Sequence, residues 1–551
     1  MGRELRSSTR VARRWACAAL VSFVPFVQAC SSGSGESLVP GPDPPASEAQ
    51  AARFLTRSTF GPTTSEIQRL AVIGYAAWFE EQRLRPASLE RPALAALEAH
   101  GVSFGQEARL EQWWKNVLTK PDQLRQRMAF ALSEIFVVSD VAASLGEDPL
   151  GMAGYYDTLA RDSLGNYRTL LEDVTKHPIM GRYLSMLGNR KADPANNIRP
   201  DENYAREHLQ LFSIGLVRLN QDGSEQLDAF LQPIPTYDQS VVEGFAQVYT
   251  GWTYAGAENW DWPGHNDLPM EPWEGYHEQA AKTLLDGVVC PAGQTAQQDL
   301  TFALDLVFQH PNVGPFIGKQ LIQRLVTSNP SPEYVARVAA VFADDGTGTR
   351  GNLLAVAQAI LTDPEAVTGP VDHPDSFGKL REPLLRLTAL WRAFSAYFPG
   401  NLYHYWNPEN HFGEAPLRAG SVFNFFTPVY TPPGDVHDAG LVAPEFQITT
   451  EQRITTGTNR FHDCVFHGYS GFPNPKEDTA LIRIDAEIAM AGDPLALVEH
   501  LNLLLMSGQM SQEMKDIVVS MVTDTDATNP RQRVLEALYL IVTSPEFSVQ
   551  K

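Results

Sequence analysis

Apolar residues recur at helical spacing along most of the chain after residue 47, and few segments alternate apolar and polar residues as a half-buried strand does. The segment "EAQAARFLTRSTFGPTTSEIQRLAVIGYAAWFEEQRL" keeps this spacing on both sides of Gly61-Pro62. Similar breaks fall at Pro121 and at His177-Pro178. Proline ends helices because it lacks a backbone N–H and clashes with the preceding turn. The pattern therefore predicts a mainly α fold, with residues 48–551 forming a single large multi-helix domain.

Two long segments lack helical spacing, and both are rich in aromatic residues. They span residues 251–295 and 397–440. Long connections of this kind are usually functional or disordered, and their aromatic content favours an ordered structure. We expect both loop regions to pack near the helix predicted within residues 199–216 and to form the functional surface with it.

The first 29 residues are typical of an export signal and not of a folded domain. An arginine-rich head precedes an apolar stretch that is too short to span a membrane. The stretch ends in "VQAC", which resembles a bacterial lipobox, so we expect Cys30 to be the lipidated first residue of the mature protein. Cleavage nearby by an ordinary signal peptidase is the alternative. Residues 30–47 are rich in Ser, Gly and Pro and predict a flexible tether. These features indicate the bacterial cell envelope, with the lipid as the only membrane attachment.

The net charge argues against some classes of partner, and the cysteine content allows at most one disulfide in the mature chain beyond the lipobox. The formal net charge of −22 argues against nucleic acid and against direct docking on anionic lipid. Beyond the leader and the lipobox the chain has two cysteines, Cys290 and Cys464. In an oxidising compartment they can pair as a disulfide or remain two buried thiols, and the sequence leaves both open.

The densest group of charged residues is "RPDENYAREHLQLFSIGL", residues 199–216. Asp201 fits an N-cap and Gly215 fits a C-cap, while Glu202 and Arg206 are four residues apart and share a helix face. One interpretation is a capped helix whose charges pair internally. The other is that Glu202, Arg206 and Glu207 face a cavity and perform acid–base chemistry there, with His277 as a further catalytic candidate.

The first loop region carries the candidate ligand-binding residues. They are Trp252, Trp260, Trp262, Trp273 and Lys282. Flat aromatic faces beside hydrogen-bonding side chains suit a sugar ring or a protein surface. The alternative is that these aromatic residues fold the loop onto the helices. His277 and Lys282 are expected at the start of a helix, where His277 is either a base or metal ligand or an ordinary hydrogen-bonded residue.

Neither a metal nor a cofactor can be assigned from the sequence. No phosphate loop, dinucleotide fingerprint or nucleophile elbow occurs. Two segments, "NLYHYWNPENHFGEAPLRAGSVFNFFTPVYTPPGDVH" and "FHDCVFH", contain possible ligands without a recognised metal spacing. These ligands are His404, Glu409, His411, Glu414 and His437 in the first, and His462, Asp463, Cys464 and His467 in the second.

Several segments occur in a fixed order over most of residues 50–551. They are "RFLTRSTFGPT", "LRQRMAFALSEIFVVS", "PDENYAREHLQLFSIGL", "FAQVYTGW", "YHEQAAKTLLDG" and "VFNFFTPVYTPPG". Together they resemble the bacterial family called domain of unknown function 1800. The resemblance implies a large, exported, mainly helical protein, with a genomic companion from another uncharacterised family. It carries no established activity.

The chain departs from this family at one motif. Many relatives have Trp-His-x-His-Phe where this chain has "ALSEIF", residues 131–136. Ser133 and Ile135 stand at the two histidine positions, so a metal site built on that pair cannot exist here in the same form. The His-Asp and Lys element of relatives corresponds to His277-Glu278 and Lys282.

Two classes of function follow. The first is a binding or assembly protein of the cell envelope that holds a protein or glycan partner through its aromatic loops. The second is an envelope enzyme, hydrolase-like or metal-assisted, with a carboxylate, arginine and histidine site near the helix at 201–214. Convergence of Glu202, Arg206, Glu207 and His277 around one cavity would favour the enzyme.

Overall fold

The computed structural model describes residues 43, 45–262 and 264–551. The export signal, Cys30 and most of the tether lie outside these residues. The protein is mainly α-helical, as predicted, and the strands described are only two residues long. Up to residue 248 the helices are α1 (Glu48–Ser58), α2 (Thr64–Leu84), α3 (Arg91–Ala99), α4 (Gln106–Thr119), α5 (Gln123–Ser133), α6 (Ala143–Gly146), α7 (Pro149–Asp162), α8 (Tyr167–Lys176), α9 (Pro178–Tyr183), α10 (Asn203–Gln210) and α11 (Gln239–Val248).

The helices resume after the first loop region. They are α12 (Ala296–Gln309), α13 (Val313–Leu325), α14 (Pro332–Ala343), α15 (Leu353–Thr362), α16 (Pro364–Asp372), α17 (Pro383–Ala393), α18 (Pro408–Phe412), α19 (Asp435–Asp438), α20 (Glu451–His462), α21 (Asp485–Met490), α22 (Pro494–Met506), α23 (Gln512–Asp524), α24 (Pro530–Val542) and α25 (Pro545–Ser548). Short 3-10 helices occupy Pro194–Asn196, Glu274–Tyr276, Leu285–Gly287, Pro399–Asn401 and Pro444–Ile448, and a π-helical turn occupies Asp463–His467.

The helix break at Gly61-Pro62 is confirmed, and it serves a close contact. The Thr63 side chain accepts a hydrogen bond from Glu66 N at 3.2 Å, and Glu66 Oε2 accepts one from Thr63 N at 3.0 Å, which caps α2. Gly61 has a φ of +123°, and a Cβ there would lie 2.4 Å from Ala389 Cα. The glycine therefore lets the α1–α2 connection press against α17.

Three antiparallel strand pairs tie distant or irregular segments together. They are β1 (Trp252–Thr253) with β2 (Glu271–Pro272), β3 (Lys282–Thr283) with β4 (Val289–Cys290), and β5 (Lys379–Leu380) with β6 (Val549–Gln550). The prediction that His277 and Lys282 begin a helix is wrong. His277 follows a 3-10 turn, and Lys282 starts β3 because its backbone pairs with that of Cys290.

Buried apolar side chains from Ala51 to Phe547 form one continuous hydrophobic core. Tryptophans dominate it where α4 meets α17. The ring centroids of Trp113 and Trp114 are 4.8 Å apart, and those of Trp114 and Trp391 are 5.2 Å apart, in edge-to-face contact. Within the described part of the chain, no helix combines the length and the apolar composition needed to cross a bilayer.

The charged segment at 199–216 forms the short helix α10. Its N-cap is Glu202 and not Asp201, whose Oδ1 instead accepts a hydrogen bond from Asn203 N at 2.8 Å just before the helix. The helix ends at Gln210, and the chain then turns to Gly215, whose φ is +71° and whose N–H donates to Leu209 O at 3.0 Å. The apolar side of α10 is buried in the core, as its spacing predicts.

Candidate functional site

A cavity of about 640 Å³ opens where α10 ends. Its volume lies within the range of small-molecule sites in proteins. The apolar part of its lining includes Leu211, Leu216, Phe316, Val422, Phe423 and Val429, and the polar part includes Glu134, Gln320, Gln323 and Arg324. Residues from the 199–216 segment and from the second loop region thus line one cavity together with α13.

Hydrogen bonds hold the second loop region over this cavity. Gln323 Nε2 donates to Pro428 O at 3.1 Å, which fixes the loop to α13. Asn329 exchanges two hydrogen bonds of 2.9 Å with the backbone of Val442. Phe423 and Val429 stay exposed at the lip of the cavity. The second loop region is therefore fixed to α13 by hydrogen bonds, and its side chains at the cavity lip remain open to solvent.

Glu134 connects the cavity to the protein interior. It directly follows α5, at the helix C-terminus, and is only 3% exposed. Its Oε1 accepts a hydrogen bond from Asn424 Nδ2 at 3.1 Å. Its Oε2 lies 3.4 Å from Arg324 Nε and has no hydrogen-bond partner among the described residues. Because a buried carboxylate oxygen without a hydrogen bond is costly, holding a proton is favourable for Glu134.

Two more glutamates lie behind Glu134. One carboxylate oxygen each of Glu134, Glu382 and Glu414 lies within 4.8 Å of the others, and all three residues are buried. Glu382 is the N-cap residue of α17, and Glu414 Oε2 lies 3.4 Å from Leu384 N in the first turn of the same helix. The positive end of the α17 dipole thus favours carboxylates at this position. A divalent cation or shared protons would each reduce the repulsion between the three groups.

Buried cations balance part of this negative charge. Lys379 Nζ lies 3.1 Å from Glu382 Oε1 and 2.9 Å from Glu445 Oε1, and it donates to Arg324 O at 2.9 Å. Arg127 Nη2 donates to the same carbonyl at 2.7 Å. The pairing of β5 with β6 fixes the backbone of Lys379. The result is a network of opposite charges that is closed on the interior side and reaches the cavity at Glu134 and Arg324.

Burial raises the pKa values of two glutamates in this cluster. It raises the pKa of Glu134 to about 8, with the charge of Glu382 adding to the rise while Arg324 and Lys379 oppose it. Burial also raises the pKa of Glu414 well above its ordinary value, again with Glu382 adding to the rise. The surroundings of Glu134 therefore favour its protonated form more than water does.

The residues proposed from the 199–216 segment lie elsewhere. Arg206 Nη2 forms an ion pair of 2.8 Å with Glu202 Oε2, and Gln239 Nε2 donates to the same oxygen at 2.8 Å. Glu207 is buried, and burial raises its pKa. None of Glu202, Arg206 and Glu207 lines the cavity of about 640 Å³. The i,i+4 pair predicted for this helix exists, but the three residues do not meet His277.

His277 and Lys282 come together around Asp299 of α12. His277 Nε2 lies 3.0 Å and Lys282 Nζ lies 2.5 Å from Asp299 Oδ2, and Cys290 Sγ donates to Oδ1 at 3.1 Å. His277 Nδ1 lies 2.9 Å from Thr250 O. Burial alone would raise the pKa of Asp299, but these three hydrogen bonds lower it. Nothing in the sequence singles out Asp299, because an acidic residue in the first turn of a helix is ordinary.

The tryptophans of the first loop region mostly contact each other and the core. Trp252 is fully buried, and Trp260 stacks on Tyr276 with ring centroids 4.1 Å apart. Arg190 lies over both stacked rings. Trp262 and Trp273 are partly buried. The loop therefore uses several of its aromatic faces internally, and Trp262 and Trp273 keep some accessible surface.

The other possible ligands separate into different places. His404 lies 3.3 Å from Glu111, His411 hydrogen-bonds the Tyr405 hydroxyl at 3.0 Å, and His437 pairs with Asp438. Glu414 alone joins the buried glutamates. In contrast, His462, Asp463 and His467 converge. Cys290 and Cys464 are both free and buried, so they are two separate thiols in this structure.

The sequence contains a signal for Glu134 that its spacing alone does not reveal. It is the one charged residue in the apolar run "MAFALSEIFVV", between the two positions at which relatives carry histidine. A charge inside an apolar run is uncommon in a core and points to function or to a buried partner. Arg324, Lys379 and Glu382 carry no comparable signal, because none of them is the one charged residue of a long apolar run.

Comparison with known proteins places the chain in one family. No curated protein and no solved structure matches it. The sequence profile described as "Protein of unknown function (DUF1800)" matches residues 53–549, nearly the whole of the 551-residue chain. The chain therefore belongs to the DUF1800 family.

Proposed function

We propose that this protein is an exported envelope enzyme that performs acid–base chemistry, of a hydrolase-like kind, on a small and largely apolar molecule. The observation that carries the proposal is the buried Glu134 carboxyl in the lining of the cavity, with its Oε2 3.4 Å from Arg324 Nε. The proposal that it is exported and lipid-anchored rests on the leader and on Cys30.

The cavity lining suggests what kind of molecule binds. Apolar side chains on the 211–216 segment, on α13 and on the second loop region favour a ligand with a hydrocarbon or ring body. Glu134 and three side chains of α13, Gln320, Gln323 and Arg324, are among the polar groups of the lining, which favours an oxygen-bearing end near them. The ligand would therefore bind in one orientation, with its reactive end at Glu134.

The chemistry follows from the two polar groups at that end. A carboxyl whose pKa is raised by burial is typical of a general acid, because it keeps its proton until a leaving oxygen takes it. Arg324, whose Nε lies 3.4 Å from Glu134 Oε2, stabilises the carboxylate that remains on Glu134 after the proton has left. Lys379 donates a hydrogen bond to the backbone carbonyl of Arg324, and Glu382 in turn forms an ion pair with Lys379.

A binding role without turnover receives less support from the aromatic residues. Trp252 and Trp260 are buried, and stacking between Trp260 and Tyr276 uses a face that a sugar would need. The second loop region still presents Phe423 and Val429 at the cavity lip. The competing hypothesis is that a partner or glycan binds there and is not chemically changed. The experiment below distinguishes this hypothesis from turnover.

The test compares turnover by two matched variants. Purified mature protein is incubated with a small-molecule extract of bacterial envelopes, and untargeted mass spectrometry follows compounds that disappear or form. We expect Glu134→Gln to abolish every change that the wild-type protein causes. Glu225→Gln makes the same chemical change at an exposed carboxylate of the cavity rim and should keep turnover.

Two results would contradict the proposal. Equal turnover by wild-type protein and Glu134→Gln would remove Glu134 from the chemistry. Compounds that co-purify with the wild-type protein unchanged, without any Glu134-dependent conversion, would favour the binding role instead.

A further inference from the structure

Three possible metal ligands converge on the turn that follows α20. His462 is the last residue of α20, and Asp463 and His467 begin and end the π-helical turn. One ligand atom from each residue lies within 4.8 Å of the other two. This group shares no residue with the cavity of about 640 Å³ or with the buried glutamates.

The π-helical turn is what brings the two histidines together. In an α-helix, residues five apart point about 140° away from each other, because each residue turns the chain by about 100°. The wider π turn bonds residue i to residue i+5 and returns the fifth residue to the same side. The ring centroids of His462 and His467 are consequently 5.5 Å apart. Such turns are rare and occur frequently at functional sites.

The distances among these atoms suit a metal ion as well as the hydrogen bond between His467 and Asp463. His467 Nδ1 lies 3.0 Å and His462 Nδ1 lies 3.8 Å from the same oxygen, Asp463 Oδ1. Ligand atoms bound tetrahedrally to zinc at about 2.0–2.1 Å are about 3.3 Å apart. The two observed distances bracket that value, so small side-chain movements would complete the coordination. Two imidazoles and one carboxylate are ligands that zinc and its neighbours accept.

Aromatic neighbours orient both imidazole rings. His462 packs against Phe466 and Tyr539, with ring centroids 4.8 and 5.5 Å apart. His467 packs against Phe472 at 5.4 Å. The three ligand side chains are between 32% and 47% exposed, so an ion can reach them from solvent. Ordered rings at an open position lower the entropy lost on binding an ion.

Two cations also face this group. Lys476 Nζ lies 3.6 Å from Asp463 Oδ2, which is the oxygen that the histidines do not approach, and its side chain is 70% exposed. Arg460 is buried and forms an ion pair of 3.2 Å with Asp478. Lys476 can therefore move into solvent when an ion binds, and Arg460 is already paired.

We propose that His462, Asp463 and His467 bind one divalent transition-metal ion of the zinc class, with at least one coordination position left to water. The proposal is independent of the function proposed for the cavity. The ion would pin the π-helical turn and would present an open, Lewis-acidic position at the protein surface.

The test is calorimetric titration of Zn²⁺ into the mature protein, purified without a polyhistidine tag. We expect one ion per chain for the wild-type protein. His467→Ala and Asp463→Asn should each weaken binding at least tenfold. His437→Ala is the matched control, because His437 also lies beside an aspartate, with its Nδ1 3.3 Å from Asp438, but lacks a second histidine. Glu134→Gln controls for the buried glutamates. Both controls should bind Zn²⁺ as the wild-type protein does.

Binding of Co²⁺ gives a second readout, since its visible absorption reports ligand number and geometry. A wild-type spectrum of a four- or five-coordinate site that His467→Ala abolishes would support the assignment. If His467→Ala does not fold, as judged by circular dichroism, His467→Gln replaces it. Wild-type protein that binds no Zn²⁺, or variants that bind it unchanged, would overturn the proposal. Loss of Zn²⁺ binding in Glu134→Gln alone would show that the ion binds at the buried glutamates, and this result would also overturn the proposal.

Discussion

Glu134 and Asp299 are both buried carboxylates, yet their surroundings act on their protonation in opposite directions. Asp299 receives hydrogen bonds from three side chains, which lower its pKa against the effect of burial. Glu134 receives one, from Asn424, and burial raises its pKa to about 8. The number of donors thus separates a structural carboxylate from one that can exchange a proton.

The raised pKa of Glu134 predicts how stability depends on pH. The folded protein holds this proton up to about pH 8, whereas the unfolded chain releases it near the ordinary value of 4.5. Stability should therefore fall as pH rises through this window, because the unfolded state binds fewer protons. Glu134→Gln cannot ionise at this position, so its stability should fall less, and the difference between the two proteins across the window should be on the order of 4 kcal/mol. Thermal unfolding at pH 5, 6.5 and 8 measures this, and parallel curves for the two proteins would contradict it.

Asp299 should matter for stability far more than an exposed aspartate on the same helix. Asp299→Asn leaves buried Lys282 without its counter-charge, and we expect a loss of roughly 3 kcal/mol. Asp305→Asn is the control, because Asp305 is 59% exposed in its ion pair with Arg168 and should lose less than about 1 kcal/mol. Denaturant unfolding of both variants compares them. Similar losses would mean that the charge of Lys282 is compensated in another way.

At the scale of elements, close backbone contacts decide how helices meet the loops. Gly244 lies in α11, and a Cβ there would lie 2.1 Å from Thr283 O in β3. Alanine normally stabilises a helix relative to glycine by about 1 kcal/mol. Here the contact is with backbone, which has little room to move, and overpacking reverses the sign.

Gly244→Ala should therefore lower stability, by about 3 kcal/mol. Gly275→Ala is the matched control, because no described atom lies within 4 Å of the added methyl group and φ is not positive. It should change stability by less than about 0.5 kcal/mol. Thermal melts of both variants are sufficient. A stabilised Gly244→Ala would show that β3 can move away from α11.

The elements show what sequence patterns can and cannot predict. Helical spacing and proline breaks predicted α1, α2 and the helix breaks at Pro121 and at His177-Pro178, because those signals are local. The expected helix start at His277 failed, because strand pairing between Lys282 and Cys290 outweighed local preference. Glu134, Glu382 and Glu414 meet only through tertiary packing, and no local spacing contains that information.

For the whole molecule, the location of the candidate site follows from one continuous core. Glu134 comes from α5, Arg324 from α13, and Lys379 and Glu382 from the segment before α17. Elements far apart in sequence contribute one or two charges each, so these charges meet only where the helices pack together. The mainly α class was predictable from composition and spacing, whereas this convergence depends on how the helices pack.

Attachment to a membrane is a property of the whole molecule that the leader predicts. Cys30→Ser removes the acceptor of the lipid, and we expect the protein to shift from the membrane fraction to the soluble fraction. Cys17→Ser, within the leader, is the control and should leave the distribution unchanged. Fractionation of cells followed by immunoblotting measures the distribution. A Cys30→Ser protein that stays with the membrane would exclude Cys30 as the anchor.

Because β6 lies at Val549–Gln550, its pairing with β5 can form only after nearly all of the 551 residues have been synthesised. Gln550 Nε2 donates to Leu325 O, 225 residues earlier, and the same residue pairs with Lys379 beside the buried glutamates. A ribosome releases the segments that surround the site long before it reaches residue 549. A chain interrupted before that point would contain every cavity residue and still leave Lys379 without its strand partner. Premature termination or proteolytic trimming at this end would therefore remove a support of Lys379 and the buried glutamates while every residue of the cavity lining is still present.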